Sequence, residues 1–478
     1  MEQKVVHDRI SELPEVLRQH ILSFLSTTQV VQSTLLSTAW KHVWITFPNL
    51  RFDRIFFPTE WTTLEVERKK HYLHNFVEKT LQIRKEKRLP INNFTLTDCW
   101  VEEKSLFCVY YWIVLVIESD VQELNLDFRC CAYSEHFPFP LPQPVLIAKS
   151  LTVLTLRSLK LDSTCVNGDC DINLPCLKQL SLTLVYTDDQ IIQNLLAGCP
   201  AIEYINFESC HGFKSINLTE VPKLMTFRVR SNKCSMRLEL AALNLSCLSI
   251  FQDLMFELNL LPFKNLKELS LHSSEETDKW LELHDHLSGF PLLETLSLNP
   301  SYFSKTIEIS SHHLKSLDIL YKCKMAEVKI DAPKLCRFTF SHFGGYIKSF
   351  SLNALALSYA FYGFLDDIYL DWNNKFLSML NISKLFELLI SSSFLKLCIP
   401  SIEVLLVIVL SFDDLQIDFF QFIVLFVSFY IYIYIYIYIY SFLLLLLYIN
   451  SNLFPWLISC EAYYYSKRIE RNPTVTII

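Results

Sequence analysis

The N-terminal stretch from Asp8 to Asp53 reads DRISELPEVLRQHILSFLSTTQVVQSTLLSTAWKHVWITFPNLRFD. Its first part spaces apolar residues three and four positions apart, as on one face of an α-helix; these residues are Leu13, Val16, Leu17, Ile21, Phe24 and Leu25. Two further helices are predicted, one capped by Thr28 and one starting at Ser37. A unit this small cannot bury so many large apolar side chains alone, so the surplus predicts a partner protein.

The order of residues in this stretch resembles the F-box, the module with which substrate receptors of cullin-type ubiquitin ligases bind the Skp adaptor. The resemblance is carried by Leu13-Pro14, Ile21-Leu22, Leu36-Ser37, Trp40, Trp44 and Pro48. It implies an F-box at residues 6–53 with the adaptor-binding residues Leu13, Pro14, Val16, Leu17, Ile21, Leu22, Leu25, Leu36 and Trp40. An ordinary three-helix cap on the following domain is the alternative interpretation.

Two departures from the F-box pattern bear on adaptor binding. Ser26-Thr27-Thr28 stands where the family usually has a Pro-Thr-Lys turn, and Thr38-Ala39 stands where it often has Lys-Arg. The loss of these basic residues would weaken contacts with the adaptor.

Residues 54–90 predict a helical connector. The pattern HNFVEKTLQIRKEK places Phe76, Val77 and Leu81 on one helix face and leaves the charged residues, including those from Arg84 to Arg88, in water.

From Ile91 the chain repeats a unit with apolar residues at its first, fourth and sixth positions, as in Leu177-Leu180-Leu182. Successive units start 21 to 30 residues apart, close to the period of leucine-rich repeats. The alternation within each unit predicts a short strand with one buried side. Stacking such strands in parallel predicts a solenoid whose core lies between a concave sheet and convex connections.

The phrases VQELNLDF, LPCLKQLSL and LLAGCPAIEYINFESC resemble the leucine-rich repeats of plant F-box proteins. The resemblance implies an α/β chain, with the three-helix F-box followed by a repeat solenoid at residues 91–410 whose last units are degenerate.

Positions in the repeats divide into core and surface. We expect Leu180, Leu269 and Leu296, together with Ile202, Phe207 and Phe227, to lie in the core. The polar residues that flank the inner strand positions would face the concave side, where a substrate protein could bind; they are Arg157, Thr183, Glu208, Arg228, Arg230, His272, Asn299 and Asp318.

The composition argues against an enzyme or a nucleic-acid-binding protein. The net charge is −7, whereas nucleic-acid binding needs a basic face. The 7 glycines form no phosphate-binding loop, and the 15 cysteines are dispersed without a CxxC pair. His284 and His286 are interpreted as surface residues of a helical segment rather than metal ligands. We expect no metal, no cofactor and no catalytic residue.

Residues 411–478 form a low-complexity apolar tail. Phe419 to Cys460 contains no charged residue, and Tyr430 to Tyr440 alternates strictly between Tyr and Ile. An AT dinucleotide tract encodes Ile-Tyr in every frame, so we interpret the tail as translated intron rather than a domain or a membrane anchor. The functional fold is expected to end near Asp418.

Two functions remain in view. The first is the substrate-recognition subunit of a cullin-type (SCF) ubiquitin ligase, in which the F-box binds a Skp-type adaptor and the repeats bind an unknown target protein. The second is a protein-binding repeat scaffold without ligase coupling. The N-terminus shows no apolar signal segment, so a cytoplasmic or nuclear protein with reduced thiols is expected.

Overall fold

The computed structural model describes residues 10–25, 27–52, 63–97, 106–128, 139–161, 172–230, 237–239, 244–251, 263–272, 289–299, 306–321, 325–343, 346–365 and 394–398. The chain divides into two compact units, Met1–Ser270 and Leu271–Ile478. Each unit is described by itself below.

The N-terminal module consists of the three predicted helices: α1 (Glu15–Ser23), α2 (Thr27–Ser33) and α3 (Thr38–Thr46). Helix α2 begins at Thr27, so Thr28, which was expected to cap it, lies inside the helix. The core of the module is one cluster of buried side chains: Leu22, Val30, Trp40, Val43 and Phe47. The partly buried Ile21, Leu25 and Trp44 pack against this cluster.

Helix α4 (Thr63–Lys87) is the predicted connector, and Val77 and Leu81 are buried on its inner face. The expectation that the charged residues of this helix lie in water is wrong for Arg84, which is only 2% exposed. Its guanidinium donates hydrogen bonds to the carbonyl oxygens of Trp44, Phe47 and Pro90.

The physical reason lies at the C-terminal end of α3, where the last carbonyl groups of a helix have no donor within the helix. A guanidinium with five N–H groups can satisfy several such acceptors at once. Desolvation by burial lowers the pKa of Arg84 to about 10, so the side chain still carries its charge at neutral pH. A cation is also favoured at the negative end of the helix dipole.

The strands of the first unit, in chain order, are β1 (Asn49–Phe52), β2 (Asn93–Thr97), β3 (Glu123–Asp127), β4 (Phe139–Pro140), β5 (Val153–Arg157), β6 (Leu159–Lys160), β7 (Gln179–Thr183), β8 (Tyr204–Glu208), β9 (Ser215–Asn217), β10 (Thr226–Arg230), β11 (Arg237–Glu239) and β12 (Cys247–Phe251). Strand β13 (Glu268–His272) begins in this unit, and its last two residues belong to the second unit. The helices between them are α5 (Leu106–Ile117), a 3-10 helix (Gln143–Ile147) and α6 (Asp189–Ala197).

The main sheet of this unit follows the chain in the order β1-β2-β3-β5-β7-β8-β10-β12, and β13 comes next to β12. The pairs from β1 to β12 are parallel, as the repeat pattern predicts. The second and fourth residues of each strand are buried, for example Leu180 and Leu182 in β7. The expected core positions Ile202, Phe207 and Phe227 are likewise buried.

Consecutive repeats are joined by a recurring backbone contact just before each strand. The carbonyl oxygen of Lys178 accepts hydrogen bonds from two amides of the next repeat, those of Glu203 and Tyr204. Seven other carbonyl oxygens of this unit likewise accept hydrogen bonds from two consecutive amides of the next repeat: those of Pro48, Asn92, Gln122, Thr152, Glu203, Met225 and Ser246. The start of each strand is therefore positioned by main-chain groups of the preceding repeat.

Three repeats share a left-handed residue immediately after the strand. Ser158, Leu184 and Ser209 follow β5, β7 and β8 with φ values of 57°, 54° and 51°. Each amide donates to the carbonyl oxygen of the last strand residue in the next repeat, as Ser158 does to Thr183 at 2.9 Å. This backbone conformation is unfavourable for residues other than glycine, so the inter-repeat hydrogen bonds offset part of its cost.

The second unit repeats the same arrangement. Its strands are β14 (Thr295–Asn299), β15 (Thr306–Ser310), β16 (Ser316–Tyr321), β17 (Met325–Asp331), β18 (Arg337–Phe343), β19 (Tyr346–Asn353), β20 (Tyr359–Leu365) and β21 (Phe394–Cys398). A parallel sheet has the order β14-β16-β18-β20-β21, and a second parallel sheet has the order β15-β17-β19. Leu296, Leu317 and Phe338 are completely buried, so the core positions expected here are confirmed.

Several expectations fall outside the described residues: His284, His286, the limit of the fold near Asp418 and the apolar tail. Within the part of the chain that the structure describes, no helix is both long enough and apolar enough to span a membrane.

Candidate interaction surfaces

The N-terminal module exposes an unusual number of large apolar side chains. Val16 is 75% exposed and Leu36 is 69% exposed, and Leu17 is also open to solvent. Three more residues that were not predicted to bind a partner are exposed with them: Ile10, Phe24 and Leu35. We call these six residues the apolar module surface. So many exposed apolar side chains on a module of this size favour a protein partner.

The other predicted adaptor-binding residues divide into three groups. Pro14 is exposed, and Leu13, Ile21 and Leu25 are partly buried. Leu22 and Trp40 lie in the core of the module, so their part in binding can only be to support the exposed residues. This division follows from the small size of the module, which needs its largest side chains for its own core.

Polar side chains fix the helices that carry this surface. Glu15 of α1 accepts hydrogen bonds from Gln19 and from the hydroxyl group of Thr46 at the end of α3. Ser37 caps α3, because its hydroxyl oxygen accepts from the amide of Trp40 at 3.4 Å. Together with Arg84, these contacts hold α1 and α3 against the connector helix and the first strands.

The predicted substrate-binding residues lie on the main-sheet strands or at their ends. In the first unit, Arg228 and Arg230 are exposed, and Arg157 and Glu208 are partly exposed. Thr183 corrects the expectation, because it is only 6% exposed. Thr183 is a short side chain, and its register partners on the two neighbouring strands are the longer Arg157 and Glu208.

A group of contacts surrounds the two arginines of β10. The guanidinium of Arg230 lies 4.6 Å from the ring centroid of Phe251, its register partner on β12. The Arg228 guanidinium lies 3.9 Å from the sulfur of Cys247. That thiol donates to a carboxylate oxygen of Glu268 at 3.3 Å.

The Cys247 thiol is not a candidate nucleophile. Burial raises its pKa above the ordinary value, and the hydrogen bond to the Glu268 carboxylate raises it further. A thiol held in its protonated form reacts poorly. Cys247 therefore contributes to the local packing and polarity of this surface rather than to chemistry.

In the second unit, His272, Ser297 and Asp318 form a chain of hydrogen bonds. The Ser297 hydroxyl lies 3.1 Å from Nε2 of His272 and donates to Asp318 at 3.3 Å. Burial raises the pKa of Asp318, and the hydrogen bond from Ser297 opposes this effect. The remaining predicted residue, Asn299, is partly buried, and its Oδ1 atom is buried without a partner among the described residues.

This chain of three residues differs from a catalytic triad in its order. A triad places the histidine between the serine and the carboxylate, so that the imidazole takes the serine proton. Here the serine lies in the middle. Sequence reasoning had selected His272 and Asp318 but missed Ser297, because a serine between two strand leucines carries no distinguishing signal.

Among the residues that the structure describes, no group of three or more His, Cys, Asp or Glu side chains could hold a metal ion. The exposed groups described above are apolar, aromatic and charged side chains, which are the kinds found in protein interfaces.

Comparisons with known proteins match both parts of the chain. The F-box domain family model matches residues 10–52. The family model described as FBD-associated F-box protein At5g56370, LRR repeats, matches residues 109–256. The two resemblances drawn from the sequence are thus confirmed.

Similar curated proteins come from Arabidopsis thaliana. The putative F-box/LRR-repeat protein At4g00320 is 32% identical over 200 residues, which cover 41% of this chain and 38% of that protein. The F-box/FBD/LRR-repeat protein At3g52680 is 30% identical over 230 residues, which cover 47% of this chain and 46% of that protein. The chain thus spans less than half the length of these two relatives.

Proposed function

We propose that this chain, a plant-type F-box module followed by leucine-rich repeats, is the substrate-recognition subunit of a cullin-type (SCF) ubiquitin ligase. The module binds a Skp-type adaptor and, through it, the cullin, and the repeats bind the target protein. The chain performs no chemistry itself. It raises the effective concentration of target lysines near the conjugating enzyme, in the cytoplasm or nucleus.

The observation that carries this proposal is the apolar module surface within the segment that matches the F-box family. Burying a Val, Leu, Ile or Phe side chain contributes about 1.5–3 kcal/mol. Several such residues, of which Val16 and Leu36 are examples, remain open to solvent in a module that already has its own core. An apolar surface on the adaptor would cover them.

The contacts of Arg84 support the second part of the proposal. A substrate receptor must hold its target in a defined position relative to the adaptor, since a flexible joint lowers the effective concentration. The buried guanidinium joins the end of α3 to the connector helix through three carbonyl oxygens. These contacts favour a fixed position of the module relative to the connector helix.

The alternative, a repeat scaffold without ligase coupling, is favoured by the departures at Thr28 and Thr38, where threonines stand in place of the basic residues of the F-box pattern. The two functions differ in one property, which is binding to the adaptor.

Co-purification of the full chain with a Skp-type adaptor and cullin tests the proposal. We expect the wild-type chain to retain both proteins, and Leu36→Glu to lose them. Leu355→Glu is the matched control, because Leu355 is an 86% exposed leucine outside the module. Circular dichroism checks that the wild-type chain and both variants are folded. If the folded wild-type chain does not retain the adaptor, the scaffold function is favoured.

A further inference from the structure

The main-sheet face around β10 combines two guanidinium groups with two aromatic rings. Arg228 and Arg230 lie two positions apart on β10, and the register places Tyr204 and Phe251 on its two neighbouring strands. Side chains two apart on a strand point to the same side of a sheet. We call these four residues the β10 arginine patch.

The Arg230 guanidinium is ordered before any partner arrives. Its stacking on Phe251, with 4.6 Å between guanidinium carbon and ring centroid, covers one face of the planar group. The N–H groups at the edge of the plane stay available for hydrogen bonds, and their fork matches the two oxygens of a carboxylate. Preordering lowers the entropy cost of binding.

Arg228 lies beside Arg230 on the same face, and the residues next to it on the neighbouring strands have short side chains. Its register partners are Asn206 on β8 and Ser249 on β12, and the side chain is exposed. Its polar contact is the sulfur of Cys247 at 3.9 Å, which is a weak acceptor. The guanidinium therefore keeps most of its capacity for a stronger acceptor.

Two carboxylates of the chain lie near the patch. Glu208 is the register partner of Arg230 on β8, and Glu268 accepts the hydrogen bond of the Cys247 thiol. With both carboxylates counted, the face carries two guanidinium groups and two carboxylates, so its charge is balanced. The argument for an acidic partner is therefore the donor geometry: a partner's carboxylate is the acceptor that matches the N–H edges of the two guanidinium groups.

We propose that the β10 arginine patch is the anchor for the target protein, and that it recognises an extended acidic segment that also carries apolar side chains. A target carboxylate binds the guanidinium groups of Arg228 and Arg230. An apolar side chain next to it packs on Tyr204 and Phe251. Arginine and aromatic residues are the types that dominate binding energy in protein interfaces. This inference rests on the proposed role of the repeats in target binding.

Fluorescence anisotropy of the full chain with three labelled peptides tests the class of partner. The peptides alternate Phe with Glu, with Gln or with Lys and are otherwise identical. We expect the Glu peptide to bind at least tenfold more tightly than the other two, with an advantage that shrinks as salt rises. Equal binding of the Glu and Gln peptides, or no binding of the Glu peptide, would overturn the proposal.

Variants locate the site. Arg230→Lys keeps the charge but loses the planar fork, and Phe251→Leu removes the stacking partner, so each should weaken Glu-peptide binding at least threefold. Arg228→Gln should weaken it by a similar factor or more. Arg51→Gln is the matched control, because Arg51 is an exposed arginine on β1 of the same sheet, at the position equivalent to Arg228. An equal loss in Arg51→Gln would show a general charge effect and sink the assignment.

Adaptor co-purification is measured on the same variants. Retention of the adaptor together with loss of peptide binding assigns the defect to the patch alone. If the wild-type chain binds the Glu peptide but no adaptor, the proposed ligase role fails while the patch assignment stands.

Discussion

The N-terminal module and the repeats use apolar residues in opposite ways. The module has one small core and leaves Phe24, Leu35 and Leu36 exposed. In the first unit, every main-sheet strand buries its second and fourth residues, and the opposite face carries polar and charged side chains such as Arg228 and Glu268. The difference agrees with the two kinds of binding that we propose: a broad apolar contact on the module and a selective charged contact on the sheet.

The largest expected effect separates buried from exposed leucines. Leu180→Ala should lower the free energy of unfolding by about 2–5 kcal/mol, because Leu180 is completely buried between strands and helices. Leu36→Ala should change it by no more than about 0.5 kcal/mol. Urea unfolding monitored by circular dichroism measures both. A larger loss for Leu36→Ala would reverse the assignment of core and binding surface.

The next effect concerns the joint between the two regions. Arg84→Met should lower the free energy of unfolding by about 1–3 kcal/mol, because the carbonyl oxygen of Phe47 loses its donor in a buried place, while those of Trp44 and Pro90 lose a donor in partly buried places. Lys87→Met, an exposed change on the same helix, is the control. Thermal melts compare the two variants, and equal melting temperatures would show that the guanidinium contributes no net stability.

Each of the two regions contains a helix whose N-terminus is capped by a side chain, so the contributions of the two caps to stability can be compared. Asp188 caps α6 in the repeats, accepting from the amide of Ile191 at 2.8 Å, whereas Ser37 in the module accepts at 3.4 Å. Asp188→Ala should cost about 1–2 kcal/mol and Ser37→Ala about 0.5 kcal/mol. Differential scanning calorimetry ranks them. The opposite ranking would mean that the module depends more on its polar contacts than on its core.

The smallest effect is a pH dependence located in the repeats. Desolvation raises the pKa of Asp189, but hydrogen bonds from Lys214 and Ser215 lower it by more, so this pKa lies below its ordinary value. A lowered pKa stabilises the fold above pH 4, and this stability is lost as the pH falls through the folded-state pKa. Since Asp189 is exposed, the loss should not exceed about 1 kcal/mol.

Asp189→Asn tests this directly, since it removes the titrating group but keeps an acceptor oxygen. Urea midpoints at pH 7 and pH 3 should fall further in the wild-type chain than in this variant. Glu220→Gln, an exposed carboxylate, is the control. Parallel curves for wild type and Asp189→Asn would assign the acid sensitivity to other groups.

Periodicity predicted most of the fold. Leucines at the fourth and sixth positions of a unit lie on the same side of a strand, and that side faces the core. The burial of Leu180, Leu269 and Leu296 could therefore be predicted from spacing alone. Strand β20 was missed because its inner positions start with Ala360, whose side chain is too small to mark a unit. Spacing cannot detect a strand whose apolar pattern is weak.

Residues whose role depends on distant partners could not be predicted. Arg84 looks like any other basic residue near a helix end, and only the structure shows the carbonyl oxygens of residues 37 and 40 positions earlier beside it. Thr183 is buried, and its register partners Arg157 and Glu208 come from neighbouring repeats that are distant in sequence. The stacking of Arg230 on Phe251 likewise depends on the register between two strands.

The carbonyl oxygen before each strand accepts two hydrogen bonds from the next repeat, and this affects how such chains can change during evolution. Because a repeat docks on its predecessor through main-chain groups, as Glu203 and Tyr204 dock on Lys178, the joint is indifferent to most side chains. Only proline is unsuited to the two donating positions, since it has no amide hydrogen. Whole repeats can therefore be duplicated, lost or exchanged without redesigning the joints, and the exposed face is free to diversify toward new targets.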